Sequence, residues 1–360
     1  MKSLVAVWLV LVRAVAAVDG TTALCPIAVA QNLSGGVGSG VGSGIVREQS
    51  RVVPTFSAIA IESSVDLRVT MDRRLKTPSV TVRADHNIIP LIETKVRDGT
   101  FYVSLTRGII TRSETVVLVT VPRLDKASQH ASGDLVVKDL FTENFSLDVE
   151  GSGDVSLSGE VGKLDVKIEG SGDMSLDNVK ARELALRCAG SGNIRFTETV
   201  VGEGAFVADD ADRKVKAGGE VGKLSVEIDG SGHLALTNVK ARIVDLRYAG
   251  SGGIKIKDIA VSQTLSLVSD GNSNIRGSGK VDKLVIASKG NDNVSLEALT
   301  AVNCDVDNSG NGNVKVRATG NLRAKTHGSG DIIYYGNPQD VKSEQAEQTW
   351  LGKVRKAVEK

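Results

Sequence analysis

Three carboxylates within four residues, at Asp209, Asp210 and Asp212, are the part of this sequence best suited to chemistry. Carboxylate oxygens are the ligands that hard cations such as Ca²⁺ prefer. Clustered carboxylates beside a basic residue could also act on a polysaccharide, and Arg213 and Lys214 follow directly. We therefore name the three aspartates as a candidate metal site. The alternative interpretation is a solvated, charged corner that the two cations compensate.

A second set of candidate ligands recurs along the chain. An Asp or Asn follows most copies of a Gly-Ser-Gly corner or its close variants. These residues are Asp134, Asp154, Asp173, Asn193, Asn274, Asn293, Asn313 and Asp331. Most corners offer one acidic residue, whereas calcium takes six or more oxygens. We expect turn chemistry instead, in which the side chain bonds nearby backbone groups.

No other constellation predicts catalysis. The four histidines, His86, His130, His233 and His327, lie in no recognisable nucleophile or zinc motif. The Gly-x-Gly runs precede strand-like segments rather than helices, so they are not phosphate-binding loops. The sequence thus predicts no catalytic residue and no cofactor.

The elements that must position these residues are short strands. Gly151, Gly170 and Gly190 each open a Gly-Ser-Gly corner, so the corner recurs about every twenty residues. Between corners, apolar and polar residues alternate, as Leu164 and Val166 do with their neighbours, which indicates strands with one buried face. A fixed period of this length is typical of a solenoid. The fold predicted is an all-β, right-handed parallel β-helix with about twenty residues per coil.

A longer repeat overlies the first one. Residues 159–168 read Gly-Glu-Val-Gly-Lys-Leu-Asp-Val-Lys-Ile, and residues 219–228 repeat this almost unchanged. Because sixty residues separate the two copies, we interpret them as a duplicated block of three coils. In this interpretation Asp209 occupies a corner of its own coil.

The ends of the chain differ from its middle. Residues 1–30 carry a basic start, an apolar run and small-x-small sites, which predicts a signal peptide. Residues 31–50 are rich in Gly and Ser and read as a linker. The β-helix domain covers 51–337, with irregular opening coils over 51–128. The polar tail 338–360 is expected to be helical and to cover the last coil.

Composition narrows the partners. The chain has 44 basic and 43 acidic residues and a net charge of +1, with no basic block, so we expect no nucleic-acid partner. Cys188 and Cys304 fall on inward positions about six coils, or roughly 29 Å, apart. That separation exceeds the reach of a disulfide, and both are interpreted as small buried hydrophobes.

The repeated Gly-Ser-Gly-[Asp/Asn] corner, together with Phe56–Ile61, Val65–Val69 and Val80–Ile92, resembles the bacterial "head GIN domain" family. That family is described as "putative auto-transporter adhesin" and as a domain of unknown function. The resemblance covers about residues 52–335. It implies a right-handed parallel β-helix with an adhesive role, located in the periplasm, at the outer-membrane surface or outside the cell. The family supplies no functional residues to carry over.

The sequence therefore predicts an exported, non-enzymatic β-helix that serves as an adhesin or surface-binding module. Its partner would be a surface ligand, either a glycan or a protein. Pairing of exposed sheet edges would also allow a homo-oligomer. Two alternatives stay open: a polysaccharide-processing enzyme on a pectin-lyase-like β-helix, and a periplasmic structural protein.

Overall fold

The computed structural model describes residues 40–202, 209–210, 213–214, 222–345 and 351–358. Within these ranges the chain is built from strands, interrupted by one 3₁₀ turn at Ile89–Leu91, and it contains no α-helix. The strands coil into a solenoid of about ten turns of roughly twenty residues each. The predicted fold class, an all-β parallel β-helix, is confirmed.

The opening segment mixes parallel and antiparallel pairs. Its strands are β1 (Val46–Arg51), β2 (Ala58–Ile61), β3 (Asp66–Met71), β4 (Ser79–Asp85), β5 (Ile92–Arg97), β6 (Thr100–Leu105), β7 (Val116–Val121) and β8 (Lys126–Gln129). β2 pairs in parallel with β6 and β8, whereas β4 runs antiparallel to β1 and β7. These antiparallel pairs satisfy backbone groups that a bare first coil would leave open. Since β1 begins at Val46, the end of the predicted linker belongs to the sheet.

The coils follow in order of sequence. Their strands are β9 (Leu135–Val149), β10 (Val155–Ile168), β11 (Met174–Gly190), β12 (Ile194–Thr197), β13 (Val200–Val201), β14 (Asp209–Asp210), β15 (Arg213–Lys214), β16 (Lys223–Gly230), β17 (Leu234–Thr237), β18 (Lys240–Gly250), β19 (Gly253–Gly271), β20 (Asn274–Ser288), β21 (Asn293–Asn308), β22 (Val314–Thr326) and β23 (Ile332–Tyr335). Apart from β14 and β15, each pairs in parallel with the coil before it. Val155 pairs with Met174, and Met174 pairs with Ile194.

The core is a set of apolar columns that run through the stack. One column contains Leu164, Leu184, Leu224 and Val244, which pair in register on successive coils. All four are at most 1% exposed. The alternation read from the sequence therefore gives the buried face correctly, because every second residue of a strand points inward.

The corner glycines are needed chiefly for close stacking. A Cβ on Gly170 would lie 1.8 Å from the carbonyl oxygen of Gly151, and one on Gly190 would lie 2.0 Å from that of Gly170. Of the corner glycines, only Gly230 and Gly250 have a positive φ. Positive-φ bends therefore do not account for the glycines of most corners. Left-handed residues instead serve a second bend, where Asn178 has a φ of 56°.

The sixty-residue repeat spans two coils and an insertion, which corrects the prediction of three coils. β11 pairs directly with β16, so that Leu184 lies beside Leu224 in the stack. β13 ends at Val201, and the next strand of the stack, β16, begins at Lys223. Between them, β14 and β15 form an antiparallel pair of their own. Because the insertion is about as long as one coil, counting residues could not distinguish the two arrangements.

The C-terminal tail continues the solenoid instead of forming the expected helix. β24 (Asp340–Gln345) pairs in parallel with β22, and β25 (Val354–Lys356) pairs in parallel with β23. Gly352 stacks on Gly330 in the manner of a further corner. The helix prediction is wrong for these residues because the last coil offers unpaired backbone groups that a strand satisfies and a helix does not.

The first 39 residues lie outside the described residues, so the signal peptide and the boundaries of the predicted domains stay predictions. Across the part of the chain that the structure describes, no helix combines the length and the apolar character needed to cross a bilayer.

Candidate ligand-binding groove

Two of the three acidic candidates, Asp209 and Asp210, pair with β15 and not with any described coil. Asp209 and Asp210 form β14 in the insertion, and the structure does not describe their side chains or any part of Asp212. In the described ranges, no group of three or more His, Cys, Asp or Glu residues could hold a metal ion. The metal site at Asp209, Asp210 and Asp212 therefore stays a prediction.

The recurring Asp and Asn residues form a ladder of hydrogen bonds along one edge, which we call the Asx ladder. The amide of Asp154 donates to Oδ1 of Asp134 at 2.8 Å, and the amide of Asp173 donates to Oδ1 of Asp154 at 2.8 Å. Near the other end, the amide of Asp331 donates to Oδ1 of Asn313 at 2.8 Å. These bonds run between coils, to residues 18 to 20 positions away, and not within one turn as expected, so each side chain fastens its corner to the backbone of the next coil.

A groove of about 950 Å³ lies on the outer face beside the Asx ladder, across β17, β19, β20, β21 and β22. Its ionisable side chains are His233, Lys255, Lys257, Arg276, Glu297 and Lys315. The residues that line this groove come from five different coils and are therefore far apart in the sequence. The sequence alone did not predict the site for this reason.

Small residues in one coil create the depression. Gly277 pairs with Ile256, which is buried, and therefore takes a position where other coils place a large apolar side chain. A Cβ on Gly277 would lie 2.6 Å from Cδ2 of Leu296, so that neighbour already occupies the space. Ser278 and Ala298 continue the floor of the groove. Gly277, Ser278 and Ala298 thus form a low floor, and Lys255 and Lys315 line the groove on either side of it.

The cations of the groove lack ion-pair partners among the described residues. Lys255, Arg276 and Lys315 form no salt bridge there, and Glu297 is the sole carboxylate lining the groove. A smaller groove elsewhere shows the opposite arrangement, because Lys223 there contacts Asp245 at 2.7 Å. The larger groove therefore carries uncompensated positive charge.

Stacking of the coils places three cations of the groove in one line with Arg195, which lies outside the groove. We call this line the basic column: Arg195, Lys255, Arg276 and Lys315. The strand register runs from Arg195 through Ala235 to Lys255, then to Arg276, and through Ser295 to Lys315. All four point to the same outer face, because residues of one register column share a face of the sheet. In the sequence, each member of the basic column follows an Ile or Val that itself follows a neutral corner residue, as in Asn274-Ile275-Arg276. This three-residue pattern is the signal by which the column could have been found.

Behind the groove, two corners replace their second glycine by a polar residue. Ser273 and Asp292 are 2% and 0% exposed, so their side chains point inward. Oδ1 of Asp292 accepts hydrogen bonds from the amide and the hydroxyl of Ser273, at 2.6 and 2.7 Å. The facing core positions are the small Ser269 and Ser288, where other coils have Ile228 or Tyr248. The smaller partners make room for the inward side chains.

The two cysteines in the coils are buried and unpaired, as the sequence indicated. Burial raises the pKa of the Cys304 thiol to about 12 and also raises the pKa of Cys188. Register places Cys188 five coils before Cys304, one fewer than predicted, because the insertion is not a coil.

A comparison of the sequence with protein families gives a match over most of the described solenoid. The model of the family described as "Putative auto-transporter adhesin, head GIN domain" matches residues 55–221, 177–259 and 224–338. The chain belongs to this family. The overlapping matches reflect the coil repeat, and together they cover the opening segment and the coils of this head GIN domain. None of the curated proteins matches the chain.

Several solved structures are similar to this head GIN domain chain. A "putative adhesin" from Bacteroides fragilis is 17% identical, with 88% of this chain and 99% of that chain covered and a TM-score of 0.31. A "putative adhesin" from Parabacteroides merdae is 15% identical, with 88% and 98% covered and a TM-score of 0.35. A "putative lipid binding protein" from Parabacteroides distasonis is 18% identical, with 88% and 99% covered and a TM-score of 0.35.

Proposed function

We propose that this head GIN domain protein is an exported, non-enzymatic binding module of the adhesin type, and that the groove is its ligand site. The observation that carries the proposal is the set of cations in the groove that lack partners among the described residues. Exposed side chains of one sign keep a site available for a ligand of the opposite sign. Membership of a family described as adhesins supports the same function.

The groove favours binding over hydrolysis because its acidic groups are too few. Glycosidases use two carboxyl groups about 5 to 9.5 Å apart. Glu297 is the single carboxylate in the groove, and His233 lies three coils away, which is roughly 14 Å along the stack. An acid and a base placed in this way could not act on the same glycosidic bond.

Export is part of the proposal and has its own test. The predicted signal peptide over residues 1–30 and the family description both support it. Intact cells that express the full chain would be treated with protease and then fractionated. Digestion of the protein on intact cells is the result expected of an adhesin. Full protection within the periplasm would favour the structural alternative, and retention in the cytoplasm would contradict export.

The binding function is tested by a screen of the purified full chain against neutral and acidic glycans, matrix proteins and envelope components. We expect at least one class to bind saturably and without release of product from any polysaccharide. A screen without any binding would contradict the proposal. Product release would instead establish an enzyme, and the aspartates of the insertion would then be the first residues to replace.

A further inference from the structure

The outer face of the solenoid separates its charges along the stacking direction. In the early coils the Asx ladder carries carboxylates at Asp134, Asp154 and Asp173. Alongside the groove the equivalent positions are neutral: Asn274 and Asn293, the second of which accepts from the amide of Asn313. The ladder thus loses its negative charge over the coils where the neighbouring column becomes basic. The ladder positions therefore add no negative charge beside Lys255 and Arg276, and Glu297 is the one carboxylate among the lining residues, which favours an anionic ligand.

The basic column sets the shape of that ligand. Lys255 and Arg276 are one coil apart, and Arg276 and Lys315 are two coils apart. These steps correspond to about 5 and 10 Å along the stack, comparable to the lengths of one and two sugar rings. A small anion could contact one or two of these cations, whereas an extended polyanion that follows the column could contact all of them.

The surroundings of the groove argue against two other classes of polyanion. No aromatic side chain lines the groove, whereas proteins that bind single-stranded nucleic acid stack bases on aromatic rings. The large exposed hydrophobic residues, such as Ile110 and Val302, are not among the lining residues either. A membrane-binding surface would combine basic groups with such residues. An acidic polysaccharide needs neither feature.

We propose that the groove binds an extended acidic polysaccharide, whose carboxylate or sulfate groups pair with Lys255, Arg276 and Lys315. The inference rests on the proposed binding function and adds the chemical class of the ligand. Sugar rings would lie over the low floor at Gly277 and Ser278, and the acidic groups would contact the basic column. Because Lys255 and Arg276 are exposed and Lys315 is only half-buried, salt screens these charges and the affinity falls as salt concentration rises.

The test compares the full-length protein with the triple variant Lys255→Gln, Arg276→Gln, Lys315→Gln by titration calorimetry. The probes are an oligogalacturonate, which carries carboxylates, a κ-carrageenan oligosaccharide, which carries sulfates and no carboxylate, and a neutral cello-oligosaccharide of similar length. We expect the unmodified protein to bind one or both acidic probes and not the neutral one. Three exposed charge pairs of ordinary strength give about a tenfold weakening in the variant.

The matched control is Lys240→Gln, Lys280→Gln, Lys283→Gln, which removes the same charge from exposed lysines outside the groove. Circular dichroism establishes that both variants are folded. Equal weakening by the two variants would overturn the inference, because net charge alone would then explain the affinity. Equal binding of a single-stranded oligonucleotide would also overturn it.

The outcomes separate this inference from the binding function on which it rests. If the protein binds a neutral glycan or a protein while neither acidic probe binds, the acidic-polysaccharide inference fails and the binding function stands. If no probe and no component of the wider screen binds, both fail. The two acidic probes also decide between carboxylate and sulfate as the group that the basic column recognises.

Discussion

Replacement of Gly172 by alanine tests whether the corners are glycine because the coils stack so closely. A Cβ at this position would lie 2.1 Å from the carbonyl oxygen of Gly153, where ordinary contacts are 3.4 to 4 Å. Each of its three nearest atoms belongs to backbone, so no side chain can move away. The coil itself would have to shift by more than 1 Å, against parallel ladders on both sides.

Overpacking of this kind costs about 1 to 3 kcal/mol, and sites with rigid neighbours lie at the upper end. The loss of glycine's freedom in the unfolded chain offsets about 0.4 to 1 kcal/mol of this. A net loss of about 2 kcal/mol lowers the Tm by roughly 3 °C for a domain of about 300 residues. Thermal unfolding followed by circular dichroism measures the change.

The control is Gly108→Ala, because no atom lies within 4 Å of a Cβ at Gly108 and this residue has no positive φ. We expect its Tm to stay the same or to rise slightly, since only the unfolded chain is affected. If Gly172→Ala and Gly108→Ala melt at the same temperature, close stacking does not explain the corner glycines.

Three further predictions follow from other parts of the structure. A hydrogen bond from Ser113 lowers the pKa of Asp85. The ionised Asp85 side chain therefore stabilises the fold above about pH 3.9, and this stabilisation is lost as the pH falls below that value. The variant Asp85→Asn should therefore show a urea midpoint that depends less on acid pH. Burial raises the pKa of the Cys188 and Cys304 thiols and keeps them protonated. A thiol reagent at about pH 8 should therefore label these two cysteines only after unfolding. Rapid labelling of both in the folded protein would contradict this. Removal of residues 338–360 exposes the edges of β22 and β23, so light scattering should detect dimers or larger species.

Much of the fold could be read from the sequence because each coil contacts mainly the coils next to it. The alternation around Leu164 and Val166 identifies inward residues, and the recurrence of the Gly-Ser-Gly corner gives the period. The tail was harder to predict, since Gly352-Lys353-Val354 has the spacing of a corner and replaces its Asp by Lys. The amide of Lys353 nevertheless donates to Oδ1 of Asp331 at 2.9 Å, as in the Asx ladder.

The candidate site could not be predicted in the same way. The acidic cluster that begins at Asp209 was predicted as a candidate site because its carboxylates are close together in the sequence. The structure places Asp209 and Asp210 in β14, which, among the described strands, pairs only with β15. Lys255, Arg276 and Lys315 are about twenty to forty residues apart, so each alone looks like an ordinary exposed cation. Their common line depends on the register between coils, which pairs Lys255 with Arg276 and places Lys315 two coils further on.

The sequence by itself determined the solenoid: its period and its inward residues. These properties depend on local patterns that repeat, and a repeat stacks on its own copies. Only the tertiary structure decided that β11 pairs directly with β16, how the tail pairs, and where the cations form one column. Those features depend on which strand pairs with which, and strands with the same alternation can pair in more than one way.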